Sequence, residues 1–409
     1  MTSELPRTWR RGNIRRFAAM KTGHTPSRSN PEYWEDVSIP WFTLADVWQL
    51  RDGRQVFLGD TASRISELGL ANSAAELLPA GTVVLSRTAS VGFSGVMPIA
   101  MATSQDFWNW VCGPDLLPEY LNYQFKAIAP NLRAMNMGST HQTIYQRDAA
   151  GIEVLVPSLD EQRAIVDYLD RETARVDALI DEQLRLIEML RERRKAVITV
   201  STKGEQKDFI QLVRCVTEQV DYRGATPPKS DSGIQLVTAR NVKRGWIDYG
   251  SSQEFVDPDT YAQVMRRGLP KRDDILFTME APLGNVALVD REDIALAQRI
   301  IKWTLDRDQV HPRYLLYAML GEQFQHQLRI RSTGSTALGI KASKLPELRV
   351  WLPERGEQRR IAAFLDEETA KIDALIAETE KFIELSRERR SALISATVTG
   401  QIDLARVRS

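Results

Sequence analysis

The 409-residue sequence is poor in the groups that do redox or metal chemistry: it holds two cysteines, Cys112 and Cys215, and four histidines, His24, His141, His311 and His326. Two thiols so far apart form neither a disulfide framework nor a metal-ligand spacing, and the scattered histidines add none. Such sparing use of thiols fits a reducing compartment, so the expected location is cytoplasmic. Long apolar runs are missing too. No stretch approaches the roughly 18 apolar residues a membrane span needs, and the charged N-terminus lacks the apolar core of a secretory signal. An excess of charge of either sign is also lacking, since Lys+Arg and Asp+Glu both total 54. A basic surplus is the usual footprint of a nucleic-acid binder. Here, basic groups would have to be concentrated on one surface.

Catalytic signatures are equally scarce. No [DNS]-P-P-[YFW] run exists to hold a flipped adenine; Asn30-Pro31-Glu32-Tyr33 lacks the second proline and reads as a turn. Neither an F-x-G-x-G element for S-adenosylmethionine nor a G-x-x-x-x-G-K-[ST] phosphate loop occurs. Gly138-Ser139-Thr140 offers a serine, but the sequence places no base beside it.

What the chain does have is an internal repeat. Residues 161–204 and 357–400 align without a gap at an offset of 196, with about half the positions identical. Each copy reads as one long amphipathic helix. Ile165, Leu169, Val176, Ile180, Ile187, Leu190 and Val197 recur at threes, fours and sevens in the first copy. Ile361, Leu365, Ile372, Leu375, Ile383 and Ile394 do so in the second. A helix of about 40 residues spans about 60 Å. A narrow seam of that length needs a partner, and the other copy, returning after an intervening domain, can supply it antiparallel.

The segments before the helices repeat more loosely. Thr22–Pro26 parallels Arg223–Pro227, Pro40–Val47 parallels Gln235–Val242, and Leu78–Leu85 parallels Leu269–Leu276. Gly138-Ser139-Thr140 and Gly334-Ser335-Thr336 stand at the same offset as the helices. These β-rich runs, punctuated by Gly, Pro and Asp, predict two mixed domains. The expected organisation is a head at 1–157, a helix at 158–204, a second head at 205–353 and a second helix at 354–409. The class is α+β, with two globular α/β heads separated by two long helices that form an antiparallel, pseudo-twofold coiled coil.

At this point the chain resembles the specificity subunit of type I restriction-modification systems (the HsdS family). The resemblance rests on the Gly-x-Thr-Pro turn, the LPAGTVVLSR-like strand and the GST…P…EQR transition. EQRAIVDYLD-x-ETARVDALI and its copy EQRRIAAFLD-x-ETAKIDALI are its most specific part, and it covers essentially the whole chain. It implies that each head is a target recognition domain reading one half of a bipartite, asymmetric double-stranded DNA sequence. It implies that the helices act as a ruler and dock two adenine-N6 DNA methyltransferase subunits, to which restriction subunits attach. The chain would then be non-catalytic and carry no metal or cofactor, with S-adenosylmethionine, ATP and Mg on the partner subunits. A stand-alone methyltransferase fails on the missing motifs. A coiled-coil scaffold with protein-binding heads accounts for the helices but not for the shared framework of the heads.

Candidate DNA-binding residues follow from side-chain chemistry. Arg, Lys, Asn and Gln read base edges, while Ser, Thr and backbone amides hold phosphates. The first head offers Lys21, Thr25, Ser86, Arg87, Ser139, Thr140, His141 and Gln142. The second offers Lys229, Arg240, Asn241, Lys243, Arg244, Ser335, Thr336, Lys341 and Lys344. The helices end in Arg191, Arg193 and Arg194 and in Arg387, Arg389 and Arg390, a candidate partner surface. A cationic helix terminus is also favoured by the macrodipole alone.

Overall fold

The computed structural model describes residues 8–134, 143–222, 227–334 and 338–402. The chain divides into two compact units: residues 1–184 with 380–409, and residues 185–379. Both boundaries fall inside long helices, so each unit contains a stretch of each.

Unit 1 runs β1 (Arg10–Asn13), β2 (Ala18–Thr22), β3 (Ile39–Phe42), β4 (Ser63–Ile65), α1 (Glu67–Ala71), β5 (Val83–Ser86), β6 (Ser94–Val96), β7 (Ala102–Thr103), β8 (Phe107–Cys112), α2 (Pro118–Ala134), α3 (Gln146–Ala150) and β9 (Glu153–Val156), then enters α4 (Leu159–Ser201). Its sheets have the orders β1-β9, β2-β8-β5-β6 and β4-β3-β7, with β3 and β7 parallel. The run Val83-Val84-Leu85 is apolar without alternation because β5 lies inside its sheet and is buried on both faces. Trp110, Tyr120 and Phe125 fill the space between the four-stranded sheet and α2 and are fully buried.

Unit 2 repeats this plan. It contains β10 (Phe209–Gln211), β11 (Val216–Asp221), β12 (Ile234–Val237), β13 (Phe255–Val256), α5 (Pro258–Val264), β14 (Ile275–Thr278), β15 (Val286–Leu288), β16 (Ile294–Leu296), β17 (Ile300–Leu305), α6 (Pro312–Leu320), α7 (Glu322–Arg331) and β18 (Arg349–Trp351), followed by α8 (Arg355–Val398). The sheet orders are β10-β18, β11-β17-β14-β15 and β13-β12-β16, again with one parallel pair. Every strand of unit 1 has its counterpart. One difference lies where α2 is continuous and unit 2 breaks into α6 and α7 at Gly321. A Cβ there would stand 2.5 Å from the Thr202 hydroxyl, so only glycine lets the backbone pass.

Strand register corrects one detail of the repeat. Val83 faces Trp110 and Ile275 faces Trp303, so Val83 corresponds to Ile275. The ungapped match of Leu78–Leu85 to Leu269–Leu276 is off by one, because the turn before β14 holds one residue more. A slip of one exchanges the faces of a strand, so this shift is what keeps Ile275 and Phe277 in the core.

The helices, 43 and 44 residues long, each extend about 65 Å. Within unit 1, Ile165 and Leu169 of α4 share a core with Ile394 and Val398 of α8. Asp177 lies 3.0 Å from Arg390 in the same unit. Numbering rises along one helix as it falls along the other, so the stretches are antiparallel. Unit 2 has the equivalent pairing: Ile198 shares a core with Leu365, and Arg194 lies 2.9 Å from Asp373. Each core aliphatic contributes about 1.5–3 kcal/mol of burial. The seam departs from expectation at Leu375, which is 50% exposed. Thr369, Thr379, Ser386 and Thr397 occupy seam positions instead. The threonine hydroxyls donate to the carbonyl one turn back, which satisfies them without an interhelical partner.

The EQR signature has a structural role. Gln162 is fully buried; its amide donates to Asp115 O and Pro157 O, and its carbonyl accepts from Leu117 N. Gln358 does the same with Gln309 O, Pro353 O and His311 N. Tyr123 and Tyr317 reach Asp170 and Asp366 at equivalent positions. These clamps fix each head to the first turns of its own helix.

Candidate nucleic-acid interface

The β5–β6 turn of unit 1 meets the segment after β7. Arg87 N donates to Asp106 O at 2.9 Å, and Arg87 O accepts from Ile144 N at 2.9 Å. The Arg87 guanidinium stacks 4.4 Å from the centroid of the Trp108 ring, whose indole N–H donates to Ile144 O. Thr25 joins from the other side, its hydroxyl donating to Gln105 Oε1 at 2.6 Å. Trp108 also lines a cleft of about 650 Å³ with Arg15, Lys21, Gln146 and Arg147. Three cations and no carboxylate on such a lining form a local basic patch in a chain of zero net charge.

Several expected residues lie at this cleft and turn and others do not. Lys21, Thr25 and Arg87 gather around Trp108 and the 104–106 turn, although Lys21 Nζ is held 2.7 Å from Glu76. Ser86 is fully buried in β5, which removes its hydroxyl from any groove-facing surface. Ser139, Thr140, His141, Gln142, Ser335 and Thr336 lie outside the described residues.

In unit 2, Arg240 is exposed, whereas Asn241 is fully buried. The Asn241 carbonyl accepts from the Thr238 amide and hydroxyl, and its amide donates to Asp248 O and Ser252 O. Asp46 makes the same turn in unit 1 with Thr43. Asn241 is therefore framework, not a base contact. Lys243 Nζ donates to Arg240 O at 2.7 Å, and Arg244 Nη2 to Leu320 O at 3.3 Å. Lys229 pairs with Glu254 at 3.0 Å and Lys344 with Glu347 at 2.6 Å, while Lys341 is exposed beside a 3-10 turn.

The terminal arginines divide in the same manner in both copies. Arg193, Arg387 and Arg389 are exposed, as is Arg191, which has a partner of its own. Arg194 and Arg390 are not free surface cations: they form the interhelical pairs with Asp373 and Asp177. Arg390 also donates to Gly53 O at 3.0 Å, and Arg54 holds Asp181 through two 2.9 Å bonds. This network ties the 51–54 loop to the helices of unit 1. Lys126 completes it through Gly53 O and Gln55 O, and burial together with the nearby Arg390 pushes its ammonium down to about 8.

Sequence reading missed Gln146 and Arg147 on the cleft, and Asp106, Glu280 and Arg299 at the turns. Only Gln105 and Gln298 match there between the two copies, so the repeat gave little signal. The look-alike Asn30-Pro31-Glu32-Tyr33 forms a 3-10 turn, capped by Asn30 accepting from Glu32 N. Among the described residues no three His, Cys, Asp or Glu side chains cluster to hold a metal, and no helix is long and apolar enough to cross a membrane. Both cysteines are unpaired thiols, and burial pushes them up, Cys112 to about 12 and Cys215 to about 11.

Comparison with known proteins bears on this arrangement. The family model described as type I restriction modification DNA specificity domain matches residues 6–189 and 264–385. The type I restriction enzyme MjaIX specificity subunit of Methanocaldococcus jannaschii is 27% identical over 168 residues, 41% of this chain. The match spans 38% of that subunit's length. The MjaVIII specificity subunit of the same organism is 24% identical over 306 residues, 69% of this chain and 70% of that one. Among solved structures, a chain from work titled as the structural basis of complex assembly and conformational transition of the type I R-M system has a TM-score of 0.73 at 16% identity. The likeness covers 98% of this chain and 100% of that one. The HsdS subunit from Thermoanaerobacter tengcongensis has a TM-score of 0.54 at 16% identity, covering 98% and 99%. At such identities the structural likeness is one of fold.

Proposed function

Because the chain belongs to the type I restriction modification DNA specificity family, we propose that it directs a methylating and restricting complex to a bipartite, asymmetric DNA target. One unit reads each half. The observation that carries this reading is the pairing of a repeated framework with different surfaces. Strand order, Gln clamp and interhelical ion pair recur in both units, while the side chains around the turns do not. A fold built twice and decorated differently suits two readers of different sequence.

The exposed faces of the helices support the partner reading. Leu179, Phe382 and Leu385 in unit 1 and Leu375, Leu186 and Met189 in unit 2 are all at least 36% exposed. They are the same three repeat positions, one from each pair in each unit. Apolar side chains duplicated at the surface fit two equivalent docking sites for two copies of one methyltransferase. Restriction subunits would join through that enzyme. Adenine-N6 methylation and cleavage would be done by those partners, with S-adenosylmethionine, ATP and Mg bound there. The net charge of zero suits a chain that holds DNA firmly only once partners close around the duplex.

Co-expression with a methyltransferase partner, followed by mapping of methylated adenine across the host genome, tests the reading. A split, asymmetric motif is expected. Methylation without any motif, or DNA affinity indifferent to sequence with and without the partner, would sink it in favour of a protein-binding scaffold.

A further inference from the structure

The turn after β5 and the turn after β14 share their closing hydrogen bonds and differ in their side chains. In unit 2, Met279 N donates to Arg299 O at 3.1 Å and Met279 O accepts from Ile340 N at 3.0 Å, matching the bonds of Arg87. Gly92 and Gly284 close the turns at φ 82° and 84°, donating to Ser86 O and Thr278 O at 2.9 Å each. The side chains diverge. Asp106 of unit 1 accepts from the Thr88 and Ser104 hydroxyls. At its position unit 2 carries Arg299, whose Nε lies 2.9 Å from Glu280 Oε1.

We propose that Arg299 is a base-reading side chain of unit 2, specific for guanine, and that Glu280 is the residue that positions it. The inference rests on the reading of each unit as a DNA reader. Glu280 lies against the Nε side of the guanidinium as a charge contact, and the two terminal nitrogens form a planar fork beyond it. That fork matches the O6 and N7 acceptors of guanine in the major groove. The pair stands at the surface, with side chains 52% and 47% exposed, so the fork is not consumed in the core.

The backbone adds an independent sign. Arg299 has φ 77°, a left-handed conformation that a long side chain rarely adopts and that persists only where surroundings impose it. Here they do. Glu280 pairs antiparallel with Gly339, which approaches so closely that a Cβ there would stand 3.2 Å from that of Glu280. A solvated surface ion pair would account for the 2.9 Å contact. It would not account for a strained backbone holding an arginine where the other unit holds an acid.

The test uses the full chain with its methyltransferase partner. Methylated-adenine motifs are mapped for the wild type and for Arg299→Ala, Arg299→Lys and Glu280→Gln. Arg299→Ala is expected to turn one guanine of one half-site into an unspecified base and to leave the other half-site intact. It should weaken cognate binding by about five- to a hundredfold. Arg299→Lys keeps the charge without the fork, so the same position should relax. Glu280→Gln should keep guanine but blur it, and discrimination as sharp as wild type would remove Glu280 from the proposal. An unchanged motif in Arg299→Ala overturns the inference. So does a uniform loss at every site, motif intact, in both Arg299 variants, which marks a structural role. A wild-type complex with no split motif would fail the underlying reading; a wild-type motif preserved in Arg299→Ala fails this inference alone.

Discussion

At the scale of single residues, the most informative positions are polar and buried. Gln162 and Gln358 each hold three backbone groups that water cannot reach. Their replacement by alanine is expected to cost about 2–4 kcal/mol each, read as a lowered urea midpoint, because orphaned buried groups lose their full solvation. Lys126 gives a pH signature. Its folded pKa of about 8 lies below the ordinary 10.5, so across that window the unfolded chain binds the extra proton. Stability from this group therefore rises with pH between those values and falls as pH drops through them. Lys126→Met should flatten the profile, a difference of about 1–2 kcal/mol between pH 7.5 and 9.5 after allowing for solvent screening. Residue chemistry alone misled at Ser86 and Asn241. Both are good DNA ligands by type, but a strand interior and a turn closure claim them, and neither demand shows in a single sequence. Arg299 was missed for the converse reason: its neighbour Glu280 comes from the turn after β14, distant in sequence, so nothing local marked it.

At the scale of elements, the helices were the most legible part of the chain and their packing the least. Period, length and duplication gave helices at 158–204 and 354–409, and the structure has Leu159–Ser201 and Arg355–Val398. Which apolar residues face inward was harder, since Leu375 sits at seam spacing yet is exposed, and threonines fill inward positions. The two apolar stripes overlap in period, and only the partner of each decides its use. Leu179→Ala with Leu375→Ala should leave stability within about 0.5 kcal/mol, as exposed sites do. Co-purification with the methyltransferase should fall sharply; undiminished assembly would move the docking site elsewhere. For the interhelical pairs, a double-mutant cycle on Asp177 and Arg390 should return a coupling of about 0.5–3 kcal/mol. The cycle on Arg194 and Asp373 should agree with it. Two cycles at zero would reduce these pairs to screened surface contacts.

At the scale of the whole molecule, the two-head plan could be read from the repeat, because a framework tolerates little drift in its glycines, prolines and clamps. The recognised sequence could not, because it resides in turn side chains free to diverge. If the helices set the spacing of the half-sites, removing matched whole turns from both should shorten the gap in the mapped motif and leave each half-site unchanged. Altered half-sites would refute the ruler. The division of the chain has a further consequence for its biosynthesis. Residues 185–379 form one uninterrupted unit, while unit 1 is assembled from 1–184 and 380–409. Ile394 and Val398 of α8 belong to the same core as Ile14 and Val83, which precede the whole of unit 2 in the chain. On the ribosome the head made first is thus the one completed last. Until α8 is made, Ile165 and Leu169 lack those two core partners, and a stalled nascent chain is expected to expose that surface.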